Sequence, residues 1–281
     1  MSNISSTTMP FTSKFIEKTV KLDFYQKWKA EKPQFFESTP LFLCSFPRSG
    51  NGWVRLVLAA ILLQSKGVDL DTVQLDKKTT DKGVKYVCFR SGDTEYDIED
   101  IFPDIYLIDQ QKPMSNSVEA VKSLQLPIQM IKTHHIVDCQ SSKVIFLFRE
   151  PLSCLTSAAL LLNSDEIEKN PQAINQTMIY LAKHYNQMLQ FYWKQKKEYP
   201  DQCFLLSHAK ASEKDTALEF EKVIEFMGIS TQDNVVQKGI NKFPFKSGYK
   251  KEYIDSIQDA TREYIQTHVE PNYQKVLNLS N

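Results

Sequence analysis

The sequence predicts an α/β fold of three layers, with helices covering both faces of a mostly parallel central sheet. Two observations carry this. Four runs (41–46, 128–135, 143–150 and 203–208) are short and largely apolar, as parallel strands covered on both faces must be. Helix-length segments fall between and after these runs, and strands alternating with helices build parallel sheets. A third feature sharpens the fold: LFLCSF leads through PRSGNG into WVRLVLAAILL, a P-loop-like strand–loop–helix suited to holding a phosphate.

The bulk properties bound what such a protein does. A chain of 281 residues buries a substantial core and suits one α/β domain. We read residues 1–40 as a partly flexible lead-in and 41–281 as that single domain. The 34 basic and 34 acidic residues cancel, so no global field draws the chain to nucleic acid or to an anionic membrane, and any anion site is local. The five cysteines are dispersed, with no CxxC pair and no histidine at ligand spacing, which points away from a disulfide framework or a zinc site. Cys44 and Cys203 lie in apolar runs and read as inert buried thiols. The N-terminus lacks an apolar signal core, and the longest apolar run, Leu56 to Leu63, is too short to span a bilayer. The expectation is a cytoplasmic protein without a membrane segment.

The elements follow in order. Leu41–Phe46 is the first buried strand. The next helix sets Trp53, Leu56, Val57, Ala60 and Ile61 on a common side. Residues 68–125 are the least regular stretch. After the strands at 128–135 and 143–150, Pro151 stands where a first helical turn accepts proline, and a long helix is expected over Ala173 to Lys194. The run at 203–208 is a further strand, and DTALEFEKVIEFMGI is an amphipathic helix that Gly228 is placed to end.

The candidate site residues sit at the ends of these strands. Gly50 and Gly52 allow backbone conformations that a side chain forbids, so loop and helix N–H groups can converge on an anion. Arg48 adds a cationic fork and Ser49 a hydroxyl. The lysine and the following Ser/Thr of an NTPase P-loop are missing, so a metal-free anion is the simpler inference. An ordinary tight turn with a surface arginine is the plain alternative. Arg149 ends the strand at 143–150, where open α/β sheets place ligands, and Ser157 lies two turns into the next helix. Arg149 would otherwise be a strand-end arginine paired with a carboxylate. Lys132, Thr133 and His134 project from the end of another strand. A histidine suits general-base work and a neighbouring cation stabilises a leaving anion, although His134 and His135 would also serve as plain strand-end polar residues.

Taken in order, these segments resemble the sulfotransferases that use 3′-phosphoadenosine 5′-phosphosulfate (PAPS). Pro47-Arg48-Ser49-Gly50-Asn51-Gly52-Trp53 is similar to their 5′-phosphosulfate loop, Lys132-Thr133-His134 to their Lys-Thr-His signature, and Arg149 with Ser157 to their 3′-phosphate motif. FEKVIEFMGI and FKSGYKKEYI resemble later family segments, so the likeness runs from about residue 41 to about 265. The resemblance implies that the loop at 48–53, with the Ser49 hydroxyl, holds the 5′-phosphate and that Trp53 stacks on adenine, a residue whose helical spacing equally permits a core role. It implies that Arg149 and Ser157, assisted by Lys246 and Gly248, hold the 3′-phosphate. His134 would accept the acceptor's proton, and Arg48 and Lys132 would stabilise the departing phosphate, with no metal required. Arg48 stands where many members have lysine, Gly52 where threonine is frequent, and Lys246-Ser247-Gly248 in place of an arginine-led loop. The dimer motif of cytosolic animal members is not visible, and no oligomeric state is assigned.

The acceptor implied is a small molecule, such as a secondary metabolite of bacterial type, taken as a hydroxyl or an amine. Residues 91–110 hold seven acids and no lysine or arginine; they would favour a cationic acceptor, or form a solvated acidic face. Two alternatives differ in class. A nucleotide-dependent small-molecule kinase would need the P-loop lysine and magnesium-binding carboxylates, whereas a non-catalytic nucleotide-binding protein on the same fold would need neither Lys132 nor His134.

Overall fold

Five apolar or small residues in a row leave a strand no solvent face, and Leu41–Ser45 (β1) is buried along its whole length. The structure is a computed structural model. It describes residues 26–27, 30, 40–79, 85–105, 118–126, 128–162, 171–212, 216–232, 234–245 and 257–280. After β1 come Asn51–Ser65 (α1), Gln74–Thr79 (β2), Lys85–Ser91 (β3), Thr94–Asp97 (β4), Ile98–Ile101 (α2) and Val118–Ser123 (α3). The middle of the chain holds Met130–Thr133 (β5), Lys143–Phe148 (β6), Pro151–Leu162 (α4), Pro171–Glu198 (α5) and Cys203–Ser207 (β7). It closes with His208–Ser212 (α6), Thr216–Met227 (α7), Val235–Lys242 (α8), Asp259–His268 (α9) and Glu270–Leu279 (α10). The expected lead-in at 1–40, apart from 26–27, 30 and 40, lies outside the described residues, as do Lys246 and Gly248.

The central sheet is parallel throughout, in the order β5-β1-β6-β7. Successive side chains face opposite layers. Phe42, Cys44, Val144, Phe146, Phe148 and Leu205 pack into one core with α4, α5 and the C-terminal helices. Leu41, Leu43, Ile145, Leu147 and Leu206 pack into the other with α1, α7 and α8. The three layers expected from the sequence are therefore present. The chain leaves β1 for a helix on one face and β6 for a helix on the other, which opens a crevice at the carboxyl ends of these neighbouring strands.

Helix α1 departs from the one-sided stripe expected of it. Trp53 and Leu56 are half-buried, while Val54, Leu58, Ala59, Leu62 and Leu63 are buried along with Val57, Ala60 and Ile61. The cause is α8, which lies against α1. A Cβ on Gly239 of that helix would come within 2.5 Å of Ile61 Cγ1, so the absent side chain is what lets the two helices close.

The stretch that looked least regular contains an antiparallel sheet, β2-β3-β4. It is stitched by charge: Arg90 Nη2 lies 2.6 Å from Asp76 Oδ2 and 2.9 Å from Glu95 Oε1, and Lys78 pairs with Glu95. Opposite charges across a ladder stabilise it but leave no apolar alternation to read. The α5 helix begins and ends a few residues beyond its expected bounds, and Gly228 (φ +74°) follows α7 as expected. No helix among the described residues is long and apolar enough to cross a membrane.

Candidate active site

The loop between β1 and α1 turns through two left-handed residues, Arg48 (φ +69°) and Gly50 (φ +96°). Gly52 is different from what the sequence suggested: its φ is not positive, it lies inside the first turn of α1, and apart from its chain neighbours and its own helix backbone no atom stands within 4 Å of where its Cβ would be. The left-handed position is taken by Arg48 instead. Gly50 is needed twice over, since a Cβ there would come within 2.4 Å of His208 Cδ2. A helix start leaves its first N–H groups without intrahelical partners, here at Asn51 and Gly52, and the first turn carries no acid. That end of α1 is therefore suited to an anion. Ser49 is fully buried, its hydroxyl 3.4 Å from Cys154 Sγ. Burial in turn pushes the Cys154 thiol up to about 11, opposed by the Ser49 hydrogen bond.

Across the crevice, β6 and α4 bring Arg149 and Ser157 to the same loop. Arg48 Nε donates to Ser157 Oγ at 3.0 Å, and Arg149 Nη1 donates to the Arg48 carbonyl at 3.2 Å. The Arg149 backbone is clamped by one phenol: Tyr185 Oη accepts from the Arg149 N–H at 3.0 Å and donates to its carbonyl at 2.5 Å. Burial raises Tyr185 well above the ordinary phenol range, which keeps that proton in place. Glu150 caps α4, accepting from the N–H groups of Leu152 (2.8 Å) and Ser153 (2.7 Å). Two guanidinium groups and a hydroxyl thus meet at a helix N-terminus.

On the other side of β1, strand β5 delivers Lys132 and His134. Lys132 Nζ lies 2.8 Å from His134 Nε2, and His134 Nδ1 lies 2.8 Å from the Ser45 carbonyl. A carbonyl only accepts and an ammonium only donates, so both contacts require the neutral tautomer with its proton on Nδ1 and a lone pair on Nε2. Burial, then the charge on Lys132, push the imidazolium form down to about 3. Ser45 also ties this group to the phosphate loop, because its hydroxyl accepts from Asn51 Nδ2 at 2.8 Å. Lys132 Nζ donates to Asp104 Oδ2 at 2.7 Å.

Trp53 stands half-buried at the edge of the crevice, its indole N–H donating to the Phe243 carbonyl at 2.7 Å. Its ring meets Phe220, Phe245 and His208 edge-on, at centroid distances of 5.6, 5.2 and 6.4 Å. It is therefore an anchored wall and partly a core residue. His208 was missed from the sequence, although it ends strand β7 just as Lys132 and Arg149 end theirs. Burial, then the nearby charge of Arg149, push it down to about 4.

The acidic segment turns largely inward. Asp97 caps α2, Glu99 pairs with Arg55 at 2.6 Å, Asp104 pairs with Lys132, and Glu95 joins Arg90 and Lys78. Glu95, Glu99 and Asp104 thus answer cations of the protein itself, while Asp93 is exposed and Asp109 lies outside the described residues. Read from the sequence, Asp104 is only one of seven acids facing a cationic acceptor or solvent; its placement between Phe102 and Ile105, both buried, is the available signal of its inward position. Among the described residues no cluster of three or more His, Cys, Asp or Glu is arranged to hold a metal. All five cysteines are buried and none forms a disulfide, and burial is as read for Cys44 and Cys203.

Known proteins are similar to this chain in sequence and fold. Residues 38–275 match the sulfotransferase domain. The chain is 23% identical over 228 residues to cytosolic sulfotransferase 17 of Arabidopsis thaliana, a match covering 76% of this chain and 61% of the length of that relative. A solved sulphotransferase of Arabidopsis thaliana superposes with a TM-score of 0.55 at 16% identity, covering 85% of this chain and 77% of that one, a likeness of fold. The chain belongs to the sulfotransferase family.

Proposed function

We propose that the protein transfers a sulfuryl group from PAPS to a hydroxyl or amine of a small-molecule acceptor, such as a secondary metabolite, through one catalytic unit spanning residues 41–281. The observation that carries this is the junction at Ser45: one residue links the phosphate loop through Asn51 to the Lys132–His134 pair, at 2.8 Å on each side. An anion held at the N-terminus of α1 would therefore lie beside a neutral histidine and a buried ammonium.

The residues divide the work. The start of α1, from Gly50 to Gly52, receives the 5′-phosphate, with Ser49 shaping the turn. Arg149 and Ser157 receive the 3′-phosphate, with Lys246 and Gly248 assigned to the same group by resemblance, and Trp53 walls the adenine. The acceptor oxygen or nitrogen forms a bond to sulfur as the bond from sulfur to the phosphate oxygen breaks in line. His134 Nε2 takes the acceptor's proton, and the electron pair of the broken bond leaves on the phosphate of adenosine 3′,5′-bisphosphate. Arg48 and Lys132 stabilise that charge, a fixed electrostatic contribution in a site of low dielectric that needs no metal. Five dispersed, buried cysteines without a disulfide suit the cytoplasm, where we place the protein.

The test is turnover with PAPS against a panel of alcohols and amines, followed as release of the bisphosphate. His134→Gln should lower kcat by about 10²–10⁴-fold while bisphosphate binding stays within a few-fold of wild type. Undiminished turnover in that variant would remove His134 as the base.

A further inference from the structure

Lys132 is held from two sides. Its Nζ lies 2.8 Å from His134 Nε2 and 2.7 Å from Asp104 Oδ2, and Asp104 comes from a separate segment. That segment is laid along the sheet edge: the Lys132 N–H donates to the Pro103 carbonyl at 2.7 Å, and a parallel bridge pairs Asp104 with Lys132. The Asp104 N–H donates to Glu99 Oε2 at 3.1 Å, and Glu99 is held by Arg55 of α1 at 2.6 Å. Asp104 and Lys132 are only 9% and 5% exposed. An ammonium so far from water keeps its proton only beside an anion.

We propose that Asp104 is a positioning residue for sulfuryl transfer: its carboxylate holds the Lys132 ammonium against His134 Nε2 and keeps it charged. One side chain outside the Lys-Thr-His segment thereby sets both the lysine's charge and the histidine's tautomer. The inference rests on the donor reading above, because Lys132 has a charge to stabilise only when a phosphate leaves. In the resting site Lys132 caps the lone pair that His134 needs. As charge gathers on the phosphate oxygen the ammonium turns toward it, Asp104 remains as its fixed pivot, and Nε2 is uncovered for the acceptor's proton.

The groups facing Lys132 are Asp104 and Glu99, which favour its charge, and Arg55, which opposes it. His134 stands at its head, with His135 next to that ring in charge interaction. Burial lowers Lys132 below the ordinary lysine range, and Asp104 is the largest influence holding it up.

Asp104→Asn keeps the shape and removes the charge. Lys132 then loses its proton at lower pH, so the alkaline limb of kcat should move at least one unit toward acid. The variant should recover toward wild type at pH 6 and fall a further tenfold or so by pH 8. A residue that only props up the fold would lower kcat equally at every pH. In a Lys132→Met background, Asp104→Asn should cost no further turnover, because the two act as one unit. An unmoved alkaline limb, or a second tenfold loss in that background, overturns the proposal. If Asp104→Asn alone does not fold, the Lys132→Met comparison decides, since the double variant leaves neither charge of the buried pair. Titration of the wild-type protein with adenosine 3′,5′-bisphosphate separates the failures. No binding overturns the donor reading and this inference with it; binding with an unmoved limb overturns only the role of Asp104.

Discussion

Gly50 meets two demands at once, a φ of +96° and the edge of the His208 ring. A side chain there pays for the torsion and for the contact, each a separate penalty. Gly50→Ala should lower stability by about 1–3 kcal/mol and weaken bisphosphate binding at least tenfold, checked by thermal melts and calorimetry. Adding His208→Ala removes the contact but not the torsion, so recovery should be partial. Complete recovery would show that the left-handed turn itself costs nothing. His134 makes a complementary case, since its tautomer follows from its two neighbours: a carbonyl on one side and an ammonium on the other leave one form.

At the scale of elements, four parallel strands end in a short stagger and each leads to a polar group at the crevice. Tyr185, from the middle of α5, fixes the Arg149 end by giving and receiving a hydrogen bond with the same peptide. Tyr185→Phe leaves both backbone groups without that partner and should cost about 1–3 kcal/mol, with a several-fold loss of bisphosphate affinity. Lost stability with unchanged affinity would contradict the coupling between α5 and the site. The parallel strands were legible because a strand covered on both faces must be apolar throughout; the positions of Arg48, Lys132, His134 and Arg149 at the ends of such strands were legible with them, and Ser157 from its spacing after Arg149. The β2-β3-β4 sheet was not legible, because its order comes from pairs such as Arg90 with Asp76 that no local pattern displays. Asp104 was hidden for the same reason: its partner is 28 residues away, and a carboxylate's burial is decided by what folds over it. His208 could have been found by applying to β7 the strand-end argument used for the other three.

For the whole molecule, the site's chemistry sets a dependence on pH. His134 and His208 are held near 3 and 4, against about 6.5 in an unfolded chain. Between those values the unfolded state binds protons that the folded state refuses, so stability falls as pH falls below about 6.5. Asp104, held below the ordinary carboxylate value despite its burial because Lys132 and neighbouring cationic groups outweigh it, acts in the same direction at lower pH. Each histidine contributes on the order of 1.4 kcal/mol per pH unit within its window. Denaturant titrations at pH 7 and pH 5 should show this loss, and His208→Phe should flatten it by about half. Equal stability at the two values would contradict the burial of both rings.

The most direct measurement is calorimetric titration with adenosine 3′,5′-bisphosphate, 5′-AMP and ATP in buffer free of divalent metal. The account predicts tight binding of the bisphosphate, much weaker binding of 5′-AMP, and loss of the difference in Arg149→Ala. Absence of bisphosphate binding, with ATP bound only when magnesium is added, would contradict it.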